Sequence, residues 1–242
     1  MKRSLFALAL VLSLLTNGVH AQDKKVAVVT FFINKKLDVS EFGDVTVIAV
    51  NKLLTDSSFN MAPLLNDFHE IFFKSYSQEF PFQLVPEDQV INNDGYKAYV
   101  PLHEDTTGLL KSSNFIVSVN GYKTYPYGLG YKNEKNLVKI LSQYDGVMDV
   151  YITFSLVKIG FGGMGVVKVM ALSHIALFNK NGDKVFGLEE DAKSKSVSPM
   201  VAGVPVMTPE KILPLCESAL SQLMISLQKD IPKITRKSDA KL

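Results

Sequence analysis

Residues 148–188, MDVYITFSLVKIGFGGMGVVKVMALSHIALFNKNGDKVFGL, decide the fold. From Met148 to Lys158, the apolar side chains Met148, Val150, Ile152, Phe154 and Leu156 recur at every second position, which puts them on one face of a strand. A glycine-rich turn leads into a second long strand, Val166 to Phe178. Asn181-Gly182 then predicts a tight hairpin into a third strand, Lys184 to Leu188. Three antiparallel strands in succession make a meander.

Upstream, Val26 to Ile33 (VAVVTFFI) is a nearly continuous apolar run rich in β-branched residues, as in a central strand covered on both faces. Residues 34–60 leave two readings open: Val45 to Val50 is a strand, or with Asn51 to Leu54 a short helix. Pro63 to Glu79 reads as a helix, with Leu64, Phe68, Ile71, Phe72 and Tyr76 at helical spacing and Pro63 at the first position. Pro81 ends it, and Phe82 to Val85 makes a second short strand. Pro86-Glu87-Asp88 opens a further helix, with acids where the helix dipole favours them, and Asn92 to Gly95 closes it.

Residues 96–132 form a Gly-, Tyr- and Pro-rich insert, with Phe115 to Asn120 as its one strand. Asn133 is placed to cap a helix running through Tyr144, with Leu137, Ile140, Leu141 and Tyr144 facing inward. After a loop from Ser194 to Met207, Thr208-Pro209-Glu210 starts a last helix. It should reach about Gln228, because Pro232 limits extension, and residues 233–242 become a basic flexible tail. Early strands separated by helices should pair in parallel, and the meander adds antiparallel strands. The expected fold is α/β (α+β): one mixed sheet with helices packed against it, in a single globular domain over residues 22–232.

Residues 1–21 read as a secretory signal peptide. Lys2 and Arg3 precede the apolar run Leu5 to Leu15, and Val19-His20-Ala21 supplies the small-x-small cleavage pattern. Gln22 follows, where a lipid-anchored protein would carry Cys. The run is too short to span a bilayer. The sequence therefore predicts a periplasmic or secreted protein with neither a lipid anchor nor a membrane span.

Two of the 26 basic residues lie in that leader, which leaves 24 against 24 acidic ones. Near-neutral charge removes the electrostatic basis for nucleic-acid binding. The lone Cys216 lies on the helical stripe Ile212, Cys216, Leu220, Leu223, Leu227, which reads as a buried, inert thiol.

The opening KVAVVTFF (25–32), followed by FNMAPLLNDFHEIFFKSYSQEFPFQLVPE (59–87), resembles a group of uncharacterised secreted proteins from Bacteroidetes-type bacteria. More distantly, the layout is similar to the amino-terminal domain of TolB, to the outer-membrane lipoprotein activators of penicillin-binding proteins and to the curli secretion lipoprotein. The parallels are KVAVV as first strand, the helix-to-strand passage LVKILSQYDGVMDVYITF (137–154), the NKNG turn before KVF, and the final amphipathic helix. The missing lipobox cysteine departs from the lipoprotein members. The resemblance implies a non-catalytic envelope domain that binds other proteins.

The residues point to no cofactor. Gly160 to Gly165 matches G-x-G-x-x-G after a strand, but the segment that follows alternates like a strand, whereas a pyrophosphate needs helix N-terminal amides there. His69-Glu70 lacks a second helical His, His103-Glu104-Asp105 are consecutive, and His174 falls inside a strand on the face of Met170 and Leu172, so no metal set is expected. No nucleophile elbow or S-x-x-K signature with partners occurs. Glu189, Glu190 and Asp191 beside Lys193 and Lys195 read as a charged strand edge. A hydrolase or carbohydrate-active enzyme remains the alternative, with a site assembled from residues distant in sequence.

The one candidate recognition surface is Gly121 to Tyr131 (GYKTYPYGLGY). Tyr122, Tyr125, Tyr127 and Tyr131 with Lys123 crowd a glycine- and proline-punctuated loop, and tyrosine is enriched where proteins bind partners. The competing reading is that these rings cover the sheet.

Overall fold

The computed structural model describes residues 24–102, 115–125, 131–161, 164–238 and 242. The leader, the His103–Asp105 run, Tyr127, Gly162, Gly163 and Lys241 lie outside them. Among the described residues eight strands form one mixed sheet, in the path β2-β1-β4-β5-β7-β8, with β3 added on β1 and β6 on β5.

Strand β1 (Lys25–Asp38) is the hub. It pairs in parallel with β2 (Gln83–Leu84) and β4 (Gly146–Phe161), and antiparallel with β3 (Ile116–Ser118). The parallel pairing of the early strands and the antiparallel meander are as the sequence predicts. β4 runs antiparallel to β5 (Met164–Asn179) in unbroken register, and β6 (Lys184–Lys193) follows on β5. Gly182, with φ of 79°, makes the β5–β6 turn. The loop expected over 194–207 instead contains β7 (Ser198–Val201) and β8 (Val204–Pro205). Ala202 and Gly203 join them with φ of 50° and 82°, the left-handed pair that a two-residue hairpin needs.

The open reading at 34–60 resolves as a helix, α1 (Asp44–Thr55). Helix α2 (Ala62–Lys74) stops short of Glu79, and a 3-10 turn (Tyr76–Glu79) completes the run. Helices α3 (Glu87–Ile91) and α4 (Asp94–Ala98) are single turns. Helix α5 (Lys132–Ile140) is not capped by Asn133: Tyr131 holds the N-cap position at φ of 59°. The Asn133 side chain instead ties down Leu102 and Tyr99. The last helix, α6 (Pro209–Ser238), continues through Pro214 and past Pro232. A proline inside a helix costs about 3 kcal/mol. The apolar stripe that offsets this cost extends to the fully buried Ile231, beyond the Leu227 where the sequence pattern was read to end.

Helices α1, α2 and α6 cover one face of the sheet, over a core that includes Phe31, Phe68, Phe72, Phe154 and Leu223. Helices α3, α4 and α5 cover the second face at one end only, over Ala27, Val29, Val147, Ala176 and Phe178. Beyond that cover no described helix packs on the second face, and Thr153, Ser155, Val157, Met170 and Leu172 are half-buried. No helix among the described residues is long and apolar enough to cross a membrane.

Candidate functional site

Where the helix cover ends, the second face carries two rows of side chains set by strand register. The first row is Thr30, Asp149, Ala176 and Gly187, from β1, β4, β5 and β6. The second is Phe32, Tyr151, His174 and Glu189. A bulge at Val28/Thr30 shifts β1 against β4 just before the first row.

Asp149 is buried and accepts a 2.7 Å hydrogen bond from the Tyr125 hydroxyl. Glu134, in the first turn of α5, is also buried and hydrogen-bonds the same carboxyl. Burial first, and then the neighbouring Glu134, push the Asp149 carboxyl well above the ordinary carboxylate range, against smaller pulls from Tyr125 and Lys184. A carboxyl raised in this way holds its proton more tightly than an exposed one. Burial and the same two acids push the Tyr125 phenol up as well, so it stays a donor.

In the second row the rings stack. Phe32 and Tyr151 lie 4.8 Å apart in nearly parallel planes, and Tyr151 and His174 lie 4.5 Å apart. His174 Nδ1 stands 3.5 Å from Glu189 Oε1. Burial lowers the His174 pKa and Lys184 adds to that, with Glu189 pulling the other way. The cavity between the rows, bounded by Asp149, Tyr151, His174 and Lys184, has a volume of only about 10 Å³, room for a single water.

A second polar cluster lies at the β1 edge. Glu87 accepts from His69 Nε2 at 2.7 Å and from the Tyr122 hydroxyl at 2.8 Å. Burial raises the Glu87 pKa, but the hydrogen bonds from His69 and Tyr122 outweigh it and leave the carboxyl below its usual range. Between β2 and β3 the β1 edge is closed by a side chain: the Tyr96 hydroxyl donates to the Val29 carbonyl and accepts from the Lys123 backbone N–H.

Two described tyrosines of the candidate loop are internal, and Tyr127 lies outside the described residues. Tyr122 and Tyr125 are buried, 7% and 2% exposed, with their hydroxyls spent on Glu87 and Asp149. These two rings pack inward rather than project into solvent. Lys123 is half-buried and its amine donates to the Lys97 carbonyl. Tyr131 is half-buried, packs on Phe178 at 5.1 Å and lies under the Lys184 amine at 5.5 Å.

The other sequence candidates separate. The glycine run leads from β4 into strand β5, not into a helix. Cys216 is fully buried, and burial pushes its thiol up. Glu189 faces His174, whereas Glu190 meets Ser173 through its backbone on the opposite face. No three His, Cys, Asp or Glu side chains among the described residues are grouped to hold a metal. Sequence reading missed the Glu134–Asp149 pair. Its one local signal is a carboxylate between the apolar Met148 and Val150 of β4.

No protein-family model and no curated protein matches the sequence. Solved structures similar in layout include a hypothetical protein from Chlamydia trachomatis, 10% identical, covering 86% of this chain and 97% of that one at a TM-score of 0.35. A putative neuraminyllactose-binding hemagglutinin homolog from Helicobacter pylori is 9% identical over 92% of this chain and 93% of its own, at a TM-score of 0.37. A lipoprotein from Neisseria meningitidis is 13% identical over 87% and 99%, at a TM-score of 0.29. These matches do not confirm the resemblance to TolB, and likeness this slight assigns neither family nor function.

Proposed function

We propose that this chain is an exported, non-catalytic binding module for protein partners in the cell envelope, and that its contact surface is the apolar end of the molecule. One observation carries the reading. Val45 and Ile48 on α1 are 61% and 68% exposed, and Val201 in the β7–β8 hairpin is 66% exposed. Helix α1 packs against β8, and Ile159 lines a cleft with Met200 and Val201, so these side chains occupy one end of the sheet. Contiguous exposed apolar surface marks a place where something docks.

The rim of that end carries the exposed Asp38, Glu41 and Asp44 together with the exposed Lys36 and Lys158. An apolar centre with a polar rim of both charges suits a protein partner. The acid pair offers no rival surface, since Asp149 and Glu134 are each 4% exposed beneath Tyr125. The leader read in residues 1–21 supplies the address. Of the tyrosine loop, Lys123 and Tyr131 are the described members still within reach of a partner.

The test is capture of envelope proteins by the mature chain and by Ile48→Asp and Val201→Asp variants. A partner retained by the parent and lost by about tenfold or more from both variants, with melting unchanged, supports the reading. Equal capture by all three removes the apolar end from it.

A further inference from the structure

Two edges of the sheet, β6 and the short β2, are treated differently. Strand β6 carries Glu189, Glu190, Asp191 and Lys193, charges that discourage another strand from pairing. Strand β2 has none: residues 80–86 read FPFQLVP. In β2, Gln83 N–H bonds to the Lys24 carbonyl and Val85 N–H to the Val26 carbonyl, so alternate residues face β1. By the same alternation, the N–H and C=O of Leu84 face away from the sheet. Among the described residues neither finds a partner in the fold.

A groove of about 390 Å³ runs beside this edge. Leu84 and Phe82 line it from the α2 side together with Phe73, and Val85 lines it from the other. A groove with walls from both faces of a strand lies along that strand's open edge. Pro81 and Pro86 cannot donate, so they confine the open stretch to Phe82–Val85. Glu87 stands at the end of the groove with its side chain 31% exposed, held in place by His69 and Tyr122.

We propose that β2 accepts an extended segment of a partner protein as an added strand, which pairs with the N–H and C=O of Leu84, seats an apolar side chain against Phe73 and Leu84, and sets a lysine or arginine against Glu87. This rests on the protein-binding reading above but uses a different surface. Main-chain pairing supplies the affinity of such added strands and the flanking pocket supplies their selectivity.

The experiment selects displayed random heptapeptides on the full mature protein and measures the synthetic winners. The expected winners alternate apolar residues with Lys or Arg. Their binding should fall about tenfold or more with Leu84→Pro, which removes an N–H that β1 does not use. N-methylation of the peptide's central amides should weaken them equally against the unaltered protein, so the result survives a Leu84→Pro variant that fails to fold. Glu87→Gln should weaken the basic peptides and flatten their salt dependence. The proposal is overturned if no peptide is enriched, or if enriched peptides ignore both Leu84→Pro and N-methylation. Loss of native-partner capture by Ile48→Asp alongside either of those results would remove the added strand and leave the binding module standing.

Discussion

The side chain of Lys184 lies directly across Gly187, in a space that no other residue type would leave open. A Cβ on Gly187 would sit 2.7 Å from both Cε and Nζ of that lysine. The bare glycine lets a residue at the start of β6 bring its ammonium group over Tyr131 and toward Asp149 and His174.

Gly187→Ala should push the Lys184 amine off this path. Because the displaced atoms are the end of a flexible chain, stability should change by less than about 1 kcal/mol. The His174 pKa should rise, since Lys184 is one of the charges that lower it. Lys184→Met should produce the same rise. NMR titration of the imidazole measures both, and an unmoved His174 would place the ammonium elsewhere.

Asp149→Asn should change how stability depends on pH. The folded state holds a proton on Asp149 more tightly than the unfolded chain does. Its contribution is therefore complete below the unfolded value of about 4 and is lost as pH rises toward the raised folded value. Relative to the Asn variant, which keeps a hydrogen-bonding side chain but no titration, the parent should weaken from acid toward neutral pH. Urea unfolding of both proteins across that range makes the comparison, and parallel curves would show that Asp149 does not change its proton affinity on folding.

Tyr125→Ala should cost about 3–5 kcal/mol, the penalty for emptying a buried aromatic site, and Tyr122→Phe about 1 kcal/mol for one lost hydrogen bond. Partner capture by the surviving folded protein should stay normal for both. A variant that melts like the parent but loses capture would return these tyrosines to the contact surface.

Cys216 should resist thiol reagents in the native protein and react promptly in denaturant, because it is fully buried with its thiol pushed up. Cys216→Ala should cost about 1 kcal/mol as a small cavity forms. Fast native labelling would mean that α6 opens locally at that turn.

The sheet was legible because its strands are long and alternate cleanly: Met148, Val150, Ile152, Phe154 and Leu156 fall on one face as the pattern demands. Helix α1 stayed ambiguous for a reason the structure makes plain. Val45, Val47 and Ile48 are β-branched and exposed, so the solvent side of the helix carries the residues that periodicity assigns to a core. Strands β7 and β8 span four and two residues, too few for any period to show. The reach of α6 past Pro232 depended on packing at Ile231, which a propensity argument does not weigh. The acid pair was hidden because Tyr125, Glu134 and Asp149 belong to a loop, a helix and a strand, and only the fold brings them together. At Tyr122 and Tyr125 the sequence showed composition but not direction, since a ring suited to an interface is equally suited to a core.

Strand β1 also sets a timetable. It is made first, yet its longest partner, β4, begins at Gly146, well over a hundred residues later. Until that stretch has been synthesised and has emerged, one flank of the apolar run Val26–Ile33 has nothing to pair with. Such a chain closes a large loop before it gains its central ladder, which makes folding slow and leaves the newborn amino-terminal half prone to sticking. A protein wired in this way depends on a holding factor, or on rapid delivery of its second half, more than its finished sheet would indicate.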